Sequence, residues 1–158
     1  MNPDENAVPQ LVGRAPVPAA ALFAFLIKRR QVHLGDPAAT FLAALNAQRV
    51  ANLGDLDGIE VKSEGFDLTG WRLGTGEARE VAGLWNRADG GEQARCHIPR
   101  HGLATWWNGG FDWFASICFE CHNAYLGGPS ARSDHRILPD AFGFDGANFR
   151  ALLERGAR

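Results

Sequence analysis

Every cysteine of the chain, and four of its five histidines, fall in one stretch from residue 96 to residue 135 that is folded back on itself by a glycine turn. The stretch reads Cys96-His97-Ile98-Pro99-Arg100-His101-Gly102-Leu103, then Asn108-Gly109-Gly110-Phe111-Asp112, then Ile117-Cys118-Phe119-Glu120-Cys121-His122. Residues 94–107 and 113–125 have the composition of strands, and Asn-Gly-Gly between two such runs is hairpin chemistry. A hairpin makes distant residues neighbours, so six potential ligands, all but His135, are confined to one small volume.

Pairing sets which of them meet. A tip centred between Gly109 and Gly110 opposes residues whose numbers sum to about 219, which puts His101 against Cys118 and His97 against His122. Pro99 cannot donate to a ladder, and a bulge there turns Cys96 onto the face of His101 and Cys118. Cys121 then joins through the tight turn that a C-x-x-C makes. The expected set is Cys96, His101, Cys118 and Cys121, three thiolates and one imidazole, which suits a closed tetrahedral Zn²⁺ site. His97 and His122 are spare. The same residues also fit reduced thiols packed as small hydrophobes beside core histidines, or a redox dithiol of Cys118 and Cys121, although redox C-x-x-C motifs usually open a helix and this one ends a strand.

Cys118-Phe119-Glu120-Cys121-His122 also spells the C-x-x-C-H of covalent haem attachment. Three observations stand against haem: no export signal, strand-like flanks, and Met1 as the only methionine to offer as an axial ligand.

At 158 residues the chain suits one domain. Residues 1–16 are polar and proline-bearing and are expected to form a flexible arm, with 17–158 as a single globular unit. Sixteen basic residues, fourteen of them Arg, are scattered against eighteen acids, giving a net charge of −2. That leaves no basic stripe to track phosphates and disfavours nucleic acid as a partner. The longest apolar run, 15–27, is too short to span a bilayer, and its charges follow rather than precede it, the reverse of a signal peptide. These features predict a cytoplasmic protein with no membrane partner.

The remaining chain yields elements. Residues 18–31 read as a helix with Leu22, Phe23, Leu26 and Ile27 on one face. Asp36 and Pro37 cap a second helix striped by Phe41, Leu42, Leu45 and Val50. Residues 59–62 and 66–73 alternate as half-buried strands. Val81, Leu84, Trp85 and Ala88 mark a helix after Thr75, with Glu77 and Glu80 in its first turn, and residues 149–155 make a short terminal one. The predicted fold class is α+β: an antiparallel sheet with a central Cys/His hairpin, and N-terminal and C-terminal helices packed on one face.

Two further features bear on function. Trp106 and Trp107 flank the hairpin tip and point to opposite faces, so one of them is available as an aromatic contact for a protein partner. The segment Asp134-His135 … Asn148 resembles the Asp-His … Asn pattern of HNH nucleases, which implies His135 as general base, Asp134 as metal ligand and Asn148 as the orienting residue. The third histidine of that pattern would fall near Gly156, where none is present.

The pair of motifs C-x-x-P-R-H-G and I-C-F-x-C resembles a group of small bacterial proteins over residues 66 to 155. The resemblance implies that Cys96, His101, Cys118 and Cys121 belong together; it implies no reaction. The expected function is therefore a non-catalytic binding or accessory protein with a structural zinc or thiol-cluster site. The alternatives are a divergent HNH-like nuclease and a thiol redox protein.

Overall fold

The computed structural model describes residues 21–29, 37–48, 58–87, 96–107, 109–128, 135–137 and 144–155. The expected arm at 1–16 lies outside them. The described chain forms β1 (Ala21–Arg29), α1 (Pro37–Asn46), β2 (Ile59–Lys62), β3 (Phe66–Arg72), α2 (Thr75–Arg87), β4 (His101–Trp107), β5 (Gly110–Cys118), β6 (Asn123–Gly127), β7 (His135–Ile137) and α3 (Phe144–Glu154). The strands make one antiparallel sheet in the order β2-β3-β1-β4-β5-β6-β7. The α+β class, the strands at 59–62 and 66–72, the helices starting near 37 and 75 and the terminal helix match the sequence reading.

Two expectations are corrected. The predicted helix over 18–31 is strand β1, near the middle of the sheet. A strand covered on both faces has no polar alternate positions, so Ala-Leu-Phe-Ala-Phe-Leu-Ile carries no period to distinguish it from a buried helix. The helices also divide between the two faces. Phe41, Leu42 and Leu45 of α1 pack with Phe23, Phe25, Phe66, Leu68, Ala104 and Phe114. Val81, Ala82 and Trp85 of α2, with Phe149, Leu152 and Leu153 of α3, pack with Leu22, Ala24, Trp71, Leu103, Trp113 and Ile117. Alternate residues of β1 enter opposite cores, as the two-residue repeat of a strand requires.

Glycine decides how closely α1 approaches. A Cβ on Gly127 of β6 would stand 2.7 Å from the backbone nitrogen of Ala39, so the helix backbone lies directly on the strand.

The β4–β5 hairpin carries the structural detail that matters most for the site. The strands meet at the turn with Trp107 opposite Gly110, and Gly109 takes φ 86°, as a tight hairpin loop demands. Trp106 opposes Phe111 and Thr105 opposes Trp113, which leaves Asp112 as an extra residue on β5. Asn46, at the end of α1, clamps this bulge: its Nδ2 donates to the Phe111 carbonyl at 2.9 Å and its Oδ1 accepts from the Phe111 N–H at 3.0 Å. Beyond the bulge His101 opposes Ile117, not Cys118.

Candidate functional site

The Cys/His motifs build a latch. Residues 96–100, ahead of β4, lie against the end of the β5–β6 hairpin, and Cys96 is disulfide-bonded to Cys121 with their Cα atoms 5.8 Å apart. Cys118 ends β5, Asn123 begins β6 opposite it, and residues 119–122 turn between them. The turn is closed by the His122 N–H reaching the Phe119 carbonyl, and His122 takes φ 58°, the left-handed conformation this loop needs.

His97 seats the segment. Its Nδ1 lies 2.7 Å from Asn123 Oδ1 and its Nε2 lies 2.8 Å from Ser116 Oγ, while the ring packs on Tyr125 at 4.1 Å between centroids. Asn123 Nδ2 donates to the Cys96 carbonyl at 2.8 Å, which fixes the amide with its oxygen toward His97. His97 Nδ1 must then carry the hydrogen, and its Nε2 faces the Ser116 hydroxyl, which also donates to the Tyr125 carbonyl at 3.3 Å. The sequence Ser116–His97–Asn123 has the connectivity of a nucleophile, base and orienting residue. Ser116 and Asn123 are both fully buried, however, and the Ser116 hydroxyl is covered by the ring that would activate it.

His101 belongs to the other face of the sheet. It is 4% exposed, sits edge-on to Phe119 and donates from Nε2 to Glu154 Oε1 of α3 at 2.7 Å; a carboxylate only accepts, so Nε2 bears the hydrogen. Glu154 Oε1 also accepts from Arg150 Nε at 3.0 Å. Burial holds the His101 pKa below its ordinary value against the raising pull of Glu154. For Glu154, partial burial pushes upward but the hydrogen bonds from His101 and Arg150 outweigh it, and its pKa lies below the ordinary carboxylate value. The pair at neutral pH is a neutral imidazole and a carboxylate.

Beside His101 the sheet emerges from under α3 and forms a cleft of about 510 Å³. Its lining includes Lys28, Lys62, Arg100 and Arg150 against Glu60, Asp67 and Glu154. Two cross-strand rungs make the floor: Lys62, Asp67 and Lys28, then Glu60, Thr69, Leu26 and His101. The cleft was not legible in the sequence, because its residues come from four strands and a helix whose adjacency only the sheet order creates.

The four residues expected to ligate zinc are divided. Cys96 and Cys121 are bonded to each other, Cys118 is a buried free thiol, and His101 points to the opposite face. Among the described residues no group of three or more His, Cys, Asp or Glu side chains is arranged to hold a metal. His97, a spare in the sequence reading, is the histidine that joins the cysteines. Trp106 is no surface platform: it is buried and packs edge-on against Phe111. The side chain of Trp107 lies outside the described residues. Of the nuclease-like set, Asp134 lies outside them too, His135 is described only as backbone in β7, and Asn148 is an exposed position on α3. Among the described residues no helix is long and apolar enough to cross a membrane. Comparison with protein-family models, with curated proteins and with solved structures finds no match to this chain.

Proposed function

We propose that the chain is a non-catalytic binding or accessory domain in which the Cys/His motif is a latch and the neighbouring cleft is the binding surface. One observation carries this reading: the chemistry of the motif is consumed internally. Both ring nitrogens of His97, both amide atoms of Asn123 and two of the three thiols are engaged with one another. A catalytic site keeps a nucleophile or base open to substrate, and the one hydroxyl held by His97 is wholly buried.

The latch does the structural work that the sequence assigns to zinc. In the oxidised protein Cys96 and Cys121 have no thiolates to give a metal, so the Cys3His reading applies only to a reduced form. A staple of this kind fits an oxidising compartment better than a reducing cytosol.

Among the described residues, what remains open to a ligand is the cleft. Four cations against three carboxylates leave it one net positive charge, in a chain whose net charge is −2. Arg100, which continues directly from the latch, stands on its rim with 64% of its side chain exposed. This favours a small ligand or peptide end that presents a carboxylate or phosphate.

The reading is tested by adding inorganic phosphate, and separately succinate, to isotope-labelled oxidised protein and following amide shifts. Movement is expected at Leu26, Thr69 and His101. No movement there with either probe removes the cleft from the proposal, and covalent labelling of Ser116 by a fluorophosphonate overturns its non-catalytic character.

A further inference from the structure

We propose that the three cysteines form a thiol–disulfide exchange site, in which Cys118 takes Cys121 from Cys96 and so opens the latch. The inference rests on the latch described above and concerns its regulation. These are the only cysteines in the chain, and all three gather at one end of the β5–β6 hairpin. Cys118 opposes Asn123 on the last rung; directly opposed side chains share a face with Cβ atoms about 5 Å apart. Asn123 in turn holds the Cys96 carbonyl at 2.8 Å. Cys121 lies three residues beyond Cys118 around the same turn, the spacing that redox C-x-x-C motifs close. Cys121 therefore has two competing partners, one joined to it and one buried three residues away at the start of the same turn.

Their exposures differ in a way that gives the exchange a direction. Cys118 is 2% exposed, hidden from bulky reagents and left with the neighbouring disulfide as its reaction partner. Cys96 is an exposed residue. In the step, Cys118 loses its proton to solvent and its thiolate attacks Cys121 Sγ; the Cys118–Cys121 bond forms, the Cys96–Cys121 bond breaks, and Cys96 leaves as a thiolate that takes up a proton. One thiol and one disulfide are present before and after, so no external oxidant or reductant enters. The product presents a surface thiol at Cys96 that is able to react with a partner disulfide, and it frees residues 96–100 from their covalent tie.

Trypsin makes the two isomers easy to separate, because cleavage after Arg95, Arg100 and Arg132 isolates Cys96 in residues 96–100 and keeps Cys118 and Cys121 together in 101–132. Oxidised protein is held without reductant at neutral pH and near the ordinary thiol pKa of about 8.5, trapped with N-ethylmaleimide in acidic denaturant, digested and weighed. The native isomer yields the two peptides linked, with the label on Cys118. The exchanged isomer yields a free 96–100 peptide labelled on Cys96, and its share is expected to rise with pH. Cys118→Ser and Cys118→Ala are each expected to abolish that labelled peptide completely. If 96–100 stays fully linked at both pH values, exchange is overturned and the latch stands. Label on all three cysteines of freshly purified protein overturns the latch and the exchange together.

Discussion

His101 at the start of β4 and Glu154 in the last turn of α3 are joined by a 2.7 Å hydrogen bond across 53 residues of sequence. It is a polar tie between the terminal helix and the sheet, and it makes stability depend on pH. His101 titrates below its ordinary 6.5 because of burial, so its contribution is complete above that value and is lost as the pH falls below it toward the folded pKa. Glu154 titrates below its ordinary 4.5 despite its own burial, through His101 and Arg150; its contribution is complete above 4.5 and is lost as the pH falls through the folded value. Denaturant midpoints are expected to decline first below about 6.5, and His101→Gln should flatten that upper limb. Glu154→Ala, which leaves a buried N–H without its acceptor, should cost about 1–2 kcal/mol at neutral pH.

Removing the disulfide tests the latch energetically. The bridge spans a separation of 25 residues, for which chain-entropy arguments give a stabilisation of about 3.5 kcal/mol. Cys96→Ser and Cys121→Ser should each lower the unfolding free energy by an amount near this, measured under non-reducing conditions. Reductant should bring the wild type down to the level of Cys121→Ser while leaving that variant unmoved.

The polar half of the latch should act on the same segment. Asn123→Ala strips partners from the Cys96 carbonyl and from His97 Nδ1, and a loss of about 2 kcal/mol is expected. Combined with Cys96→Ser, the two losses should add to less than their sum, because both substitutions release residues 96–100. Strict additivity in that double-mutant cycle would show that the hydrogen bonds and the bridge hold different things.

Asn46 pairs with both backbone groups of Phe111 where Asp112 interrupts the ladder. Asn46→Ala should cost about 1–3 kcal/mol by leaving those groups without partners. Increased hydrogen exchange at Phe111 is the local readout, and an unchanged rate there would mean that the bulge holds without the helix.

Gly127→Ala probes the seat of α1. With a Cβ reaching to 2.7 Å of the Ala39 nitrogen, the helix must move away, and a destabilisation of about 1–3 kcal/mol is expected. A neutral result would place α1 farther from β6 than described.

Much of the fold was legible because its signals are local. The alternation in 59–62 and 66–72, the Pro37 start and the Val81-Leu84-Trp85 stripe each announce an element within a few residues. Strand β1 was not legible, since burial on both sides erases alternation. The site failed for a sharper reason. The sequence reading paired His101 with Cys118, whereas the structure pairs it with Ile117, and a slip of one residue moves a side chain to the other face. The turn alone, with Trp107 opposite Gly110, would set His101 against Ser116 on the face of Cys118; the extra residue at Asp112, held through Phe111 by Asn46 from 65 residues away, moves it to Ile117 and so to the other face, and nothing near the hairpin signals it. That the cysteines gather was readable; which histidine accompanies them was not.

The seven-stranded sheet, packed on both faces, is also a partition. The disulfide, His97 and Asn123 lie on one side of it; His101, Glu154 and the cleft lie on the other. The chain passes from one compartment to the other between His97 and His101, with Arg100 handing its carbonyl to the Ile27 N–H and its side chain to the cleft rim. Residues 98–100 are therefore the short span through which the latch and the cleft share one piece of backbone.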